Sequence, residues 1–259
     1  MKQLSLTFAF IVLLIYGGLI ASIFYFLDSS SLLNSLSSNR VLFAIKVSLI
    51  TATISTLLAL TIAIPAGYGL SRFDFRGKEI INTLLEFPMV VSPAALGAII
   101  LIFFNNPLGI WIQDNIYNFV FSFGGIILAQ FVTVLGVAVR FIKSAFDEVD
   151  ITLENTAKTL GASSWYVFVT IVLPLAKKGL IAATILTWAK ALGEFGATLT
   201  VAGTMAFKTE TLPISIYMHL EMADIKTTLS LILILIIFGL GSLFVARRFL
   251  SMGLKNDRG

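Results

Sequence analysis

Asp147-Glu-Val-Asp-Ile-Thr-Leu-Glu-Asn-Thr-Ala-Lys-Thr-Leu-Gly-Ala-Ser-Ser-Trp-Tyr-Val-Phe-Val-Thr-Ile-Val-Leu-Pro174 is the longest interval without an uninterrupted apolar run in a very hydrophobic chain. Four acids, Asp147, Glu148, Asp150 and Glu154, crowd its front, where the positive end of a helix dipole favours them. Ile151 to Leu160 reads as a short helix with Asp150 as N-cap. Glu154 precedes Lys158 by one helical turn, the favourable order for an ion pair. Gly161 falls where a helix-ending, left-handed residue belongs. A second amphipathic piece, Ser163 to Val172, is expected to stop before Pro174. The implied shape is helix, glycine turn, helix, lying between two membrane spans.

Working outward, the composition sets the class. The chain has 259 residues, 58% hydrophobic and only 12% charged, with a mean hydropathy of +0.97. That excludes a soluble domain. Without cysteine there is no disulfide or thiolate site. Apolar stretches predict six spans, at about 4–27, 41–70, 80–104, 119–139, 179–201 and 229–250. The first is longer than the roughly 7–15-residue apolar core of a secretory signal, so it reads as a retained span. No repeat is visible, and the whole chain, 1–259, reads as one transmembrane domain, all-α, with a cytoplasmic loop at 147–174.

Basic residues fix the expected orientation. With a cytoplasmic N-terminus, 13 of the 18 lie on that side: Lys2, Arg72, Arg76, Lys78, Arg140, Lys143, Lys158, Lys177, Lys178, Arg247, Arg248, Lys255 and Arg258. The outer side holds Arg40, Lys208 and Lys226. Both termini and the 147–174 loop are therefore expected in the cytoplasm. A net charge of +4 distributed this way points to the membrane rather than to nucleic acid.

The loop resembles the signature of binding-protein-dependent ABC importer permeases: Glu-Ala-Ala, three residues, Gly, nine residues, then Ile-x-Leu-Pro. Gly161, Ile171, Leu173 and Pro174 stand at that spacing. Asn155, Thr156 and Ala157 occupy the Glu-Ala-Ala positions, with Glu154 one place early. The resemblance implies a type I importer permease whose loop is a coupling helix docking on a cytoplasmic ATPase. It assigns that role to Glu154, Ala157, Lys158, Gly161, Ala162 and Pro174. A second run, Trp188-Ala-Lys-Ala-Leu-Gly-Glu-Phe-Gly-Ala-Thr198, is similar to the fifth span of the sulfate, molybdate and tungstate branch. Thr211-Leu-Pro-Ile-Ser-Ile-Tyr217 resembles that branch's outer loop. The likeness covers roughly residues 41 to 250.

Lys190 and Glu194 would lie roughly 16–22 Å deep in the fifth span at 1.5 Å per residue. A charge at that depth costs a few kcal/mol and must face protein or water. Spaced by one turn, with Gly193, Phe195 and Gly196 beside Glu194, they line a translocation route or gate, or form a structural ion pair. Lys46, near the outer end of the second span, either snorkels to the interface or draws an anion inward. Pro65, Pro88 and Pro93 are candidate helix breaks.

The resemblance implies a multi-pass cell-membrane importer subunit for molybdate or tungstate, with sulfate or thiosulfate as the alternative. It also implies a separate ATPase dimer holding ATP and Mg, an extracytoplasmic oxyanion-binding protein, and a second permease copy forming a homodimer. This chain itself is expected to hold no cofactor and to be no enzyme. No Gly-x-x-x-x-Gly-Lys-Ser/Thr loop occurs. An intramembrane enzyme would need a nucleophile–base, carboxylate or metal constellation, yet the one histidine, His219, lies in an outer loop. An ion-coupled transporter would show duplicated halves or repeated acids, and neither is visible.

Overall fold

The computed structural model describes residues 2–26 and 29–256, so Leu27, Asp28 and Arg258 of the expected spans and tail lie outside it. Every regular element among the described residues is helical. Five helices are long and apolar enough to cross a membrane, or six spans if one bent pair counts as a single crossing.

The first, α1 (Lys2–Phe26), exposes apolar side chains all round and packs mainly on the last helix. The Ser/Asn-rich connection after it contains α2 (Ser29–Ser37). The central pair is α3 (Asn39–Arg72) against α7 (Phe123–Asp147). On α3 the buried face recurs at helical spacing and is built of small residues, among them Ala44, Ser48, Ala52, Ser55, Ala59, Ala63 and Gly67. Small side chains let two backbones approach closely in a membrane, where lipid offers no hydrophobic drive for association. A Cβ at Gly67 would lie 2.8 Å from Ile142 of α7. Pro65 does not break α3.

The third span is not the continuous 80–104 helix the apolar pattern predicts. It is α4 (Lys78–Val90) and α5 (Pro93–Phe104), bent by 111°. Pro93 drives Ser92 out of the helical region, and the Ser92 hydroxyl then caps α5 by accepting from the Ala95 N–H at 3.3 Å. After it comes α6 (Pro107–Asn115) in the connecting loop. The fourth span differs from 119–139: the Ser122 hydroxyl caps α7, which then runs on to Asp147.

The fifth span starts earlier and ends sooner than 179–201. After α8 (Ile151–Thr159), a turn leads into α9 (Ser164–Val167), a π-helical segment at Phe168–Val172, and α10 (Leu173–Leu192). Pro174 therefore does not stop the helix. Proline has no N–H to give the preceding turn, and a π-turn loosens that ladder just where the hydrogen bond is lost. The span breaks at Gly193–Phe195 and resumes as α11 (Gly196–Ala202). The chain closes with α12 (Leu212–Glu221) and α13 (Ile225–Asn256), whose span-like part is Ile225–Val245.

The main core fills the space between α3, α7 and α10, with Val134, Ala138, Ile142, Ala176 and Ala183 buried in it. Its end beside α8 is aromatic: the Tyr68 ring meets Phe168 at 4.7 Å and Phe146 at 5.5 Å. At the opposite end, Arg40 grips the buried Glu210 through Nε at 3.0 and 2.7 Å, and the Leu212 N–H donates to the Ser48 hydroxyl at 2.6 Å.

Candidate coupling surface and membrane cleft

The predicted helix, turn and helix are present. Asp150 caps α8 by accepting from the Thr152 N–H at 2.8 Å. That backbone donor holds the Asp150 carboxyl below its ordinary value. Gly161 has φ +90°, its N–H bonds to the Lys158 carbonyl at 3.0 Å, and the Ala162 N–H reaches back to the Ala157 carbonyl at 3.1 Å. These two bonds make a Schellman closure, which needs a left-handed residue at the position Gly161 occupies. Ser163 then caps the next helix through the Tyr166 N–H.

Glu154 does not pair with Lys158. It turns inward, is 1% exposed, and binds Arg72 Nε at 2.5 Å. Tyr68 donates its hydroxyl to the other carboxylate oxygen at 3.2 Å. Arg72 in turn donates to the Phe146 and Val149 carbonyls, both at 2.9 Å, closing the C-terminal end of α7. A guanidinium saturated this way, facing a carboxylate with two donors, is the geometry in which a buried pair is tolerated. Thus α8 is bolted to the ends of α3 and α7. The sequence reading placed Glu154 with the partner-facing residues; its carboxylate faces the helical body of the protein instead. Of the other expected coupling residues, Lys158, Gly161 and Pro174 are exposed, while Ala157 and Ala162 are half-buried.

Among the side chains α8 and α9 present outward are several large apolar ones. Leu160 is 83% exposed, Trp165 73%, and Tyr166, Ile151 and Leu153 are exposed beside them. Sequence reasoning missed this set. The signal available was an apolar triplet flanking the glycine turn inside an otherwise polar segment.

The second site lies where the two broken spans meet. A cleft of about 580 Å³ opens between the α4–α5 break, at Ser92 and Pro93, and the α10–α11 break, at Gly193 and Glu194. Gly196 seats α11 against α5: a Cβ there would stand 2.9 Å from the Ala94 nitrogen. Lys190 and Glu194 are both in the cleft wall, but they form no ion pair among the described residues. Glu194 is buried, and its carboxylate accepts from the Ala197 N–H at 2.9 Å, at the start of α11. Lys190 is exposed. Phe195 leans on Tyr217 at 5.3 Å. Lys46, on the exposed side of α3, does not line this cleft.

The long apolar helices, with a helix–turn–helix between two of them, define an integral membrane protein. The chain matches a subunit of a bacterial alginate ABC transporter with a TM-score of 0.73 at 17% identity, covering 95% of each chain. It matches a chain of the MetNI methionine ABC transporter with a TM-score of 0.65 at 16% identity, covering 81% of this chain and 94% of that one. These likenesses concern the fold. The family itself is shown by sequence: residues 59–251 match the family of binding-protein-dependent transport system inner membrane components, to which this chain belongs. It is 36% identical over 207 residues to the molybdenum transport system permease protein ModB of Haemophilus influenzae, covering 78% of this chain and 90% of the relative. It is 33% identical over 229 residues to the molybdate/tungstate permease WtpB of Thermococcus kodakarensis, covering 88% and 86%. To the sulfate permease CysW of Synechococcus elongatus it is 28% identical over 239 residues, covering 92% and 83%. Its relatives are transport permeases rather than enzymes, and the protein is a multi-pass membrane permease.

Proposed function

We propose that this permease moves a tetrahedral oxyanion, molybdate or tungstate, inward across the cell membrane, driven by ATP hydrolysis on a separate ATPase dimer that binds ATP and Mg. The observation carrying the coupling half is the exposed apolar surface of Leu160, at the end of α8, and of Trp165 and Tyr166 on α9, with α8 bolted to the span ends through Glu154 and Arg72. A large apolar patch on a rigid base suits a partner surface, not water. The substrate half is supported by the ModB and WtpB relatives. Cargo arrives on an extracytoplasmic binding protein, and a second copy of this chain completes the pathway as a homodimer. Partners of this kind act by biasing conformations for which their affinities differ.

Orientation is tested by introducing single cysteines at Ser164 and at Asn256, which is clean because the natural chain has none. Both are expected to react with an impermeant thiol reagent only after the membrane is opened. Labelling of either in intact cells would place the coupling surface on the wrong side. Cargo is tested in liposomes carrying the permease and its ATPase, with binding protein loaded with each anion. Molybdate or tungstate uptake is expected. Uptake of sulfate alone would favour the second reading, which the CysW relative supports.

A further inference from the structure

The cleft between the two helix breaks carries an asymmetry that spacing alone does not show. Lys190 and Glu194 share a helical face only if α10 continues, and it does not: the helix ends at Leu192. Past the break, Glu194 is committed to the Ala197 N–H and buried. Lys190 is left exposed in the cleft wall, with no hydrogen bond or ion pair from Nζ among the described residues, while its neighbours Thr187, Ala191 and Leu192 are buried. Counting from Lys178 at the cytoplasmic end of α10, Lys190 stands roughly 18 Å along the helix at 1.5 Å per residue. That is about the middle of a 30 Å hydrocarbon layer. A charge there is costly unless it faces water, protein or a counter-ion.

We propose that Lys190 is the cation a tetrahedral dianion touches in transit through this cleft, and that Glu194 is a positioning residue that sets the start of α11 instead of neutralising Lys190. This rests on the oxyanion-import reading above. The cleft volume, about 580 Å³, far exceeds the roughly 10–15 Å³ one water needs, so a hydrated anion has room. One lysine, with a carboxylate in the same wall, attracts a dianion without trapping it. A conduit requires that balance, since cargo must leave as readily as it enters. The two breaks also touch each other through Gly196 and Ala94, and Gly97 would bring a Cβ within 2.7 Å of Thr200. Any shift of α5 against α11 therefore changes the space in front of Lys190.

The test uses the complete transporter in liposomes, with molybdate-loaded binding protein. Lys190→Met is expected to lower molybdate taken up per ATP hydrolysed by at least about tenfold, and Lys190→Arg to retain most of it. Lys190→Cys should behave like Lys190→Met. Treating it with a thiol reagent that adds an ethylammonium group should restore uptake, while one that adds an ethylsulfonate should not. Molybdate uptake per ATP unchanged in Lys190→Met would overturn the proposal. So would parallel loss of uptake and hydrolysis in both Met and Cys variants with no recovery by the ammonium group, since that marks a structural role. If unmodified liposomes take up none of molybdate, tungstate and sulfate, the import reading fails first and this inference with it.

Discussion

Arg72→Ala is expected to lower the stability of the purified permease by about 3–5 kcal/mol, the cost of stranding a buried charge. Arg72 and Glu154 side chains are 7% and 1% exposed, so solvent cannot take over for the missing partner. Removal of Arg72 also leaves the Val149 carbonyl just past α7 without its guanidinium donor, while the Phe146 carbonyl keeps the Val149 N–H at 3.0 Å. Glu154→Ala should cost less, because a freed guanidinium keeps those two acceptors. The double variant Arg72→Met with Glu154→Leu should recover much of the loss, since apolar residues of similar volume replace a buried pair well. A double-mutant cycle read by thermal unfolding in detergent should return a coupling of up to about 3 kcal/mol. Strictly additive losses would sink the pairing. The recovered double variant should nevertheless hydrolyse ATP with poor stimulation by loaded binding protein, because α8 has lost its polar bolt to α3. Full stimulation would show that docking is transmitted through the Tyr68, Phe146 and Phe168 rings alone.

Much of this architecture is legible in the amino-acid order, and what is not has a physical reason. Apolar run length marks the crossings because a bilayer permits little else. The Schellman turn at Gly161 is readable because capping is local. The break at Ser92 hides inside apolar sequence and the one at Gly193 lies between Lys190 and Glu194, and hydropathy is blind to backbone direction at both. Pro93 marks one of them, yet Pro65 sits in an unbroken helix, so proline alone does not decide. Pro174 misleads for a related reason, since a π-turn upstream absorbs its missing N–H. Glu154 misleads most. Spacing offers Lys158, worth a few tenths of a kcal/mol on a helix surface. The true partner, Arg72, is 82 residues away, and a desolvated pair with several donors outcompetes a solvated one.

Gly161→Val should uncouple the transporter while leaving it assembled in the membrane. The residue sits at φ +90°, a conformation that costs an L-residue about 1–2 kcal/mol and a β-branched one more. Space is not the obstacle, because a Cβ at this position meets nothing within 4 Å. The penalty is therefore backbone strain alone, and it falls on a helix of 9 residues with few contacts of its own to resist unwinding. Relief comes from rotating the turn out of the left-handed region, which breaks the bonds to the Lys158 and Ala157 carbonyls. Leu160 on one side of the turn and Trp165 on the other then lose their fixed relation, so the exposed apolar surface no longer fits one partner. A graded series separates strain from bulk: Gly161→Asn, which tolerates positive φ, should retain most ATPase stimulation, Gly161→Ala less, and Gly161→Val least. The readout is ATP hydrolysis stimulated by loaded binding protein, against the amount of assembled complex recovered from membranes. Equal stimulation across the series would mean that the turn's handedness is not what couples this permease to its motor.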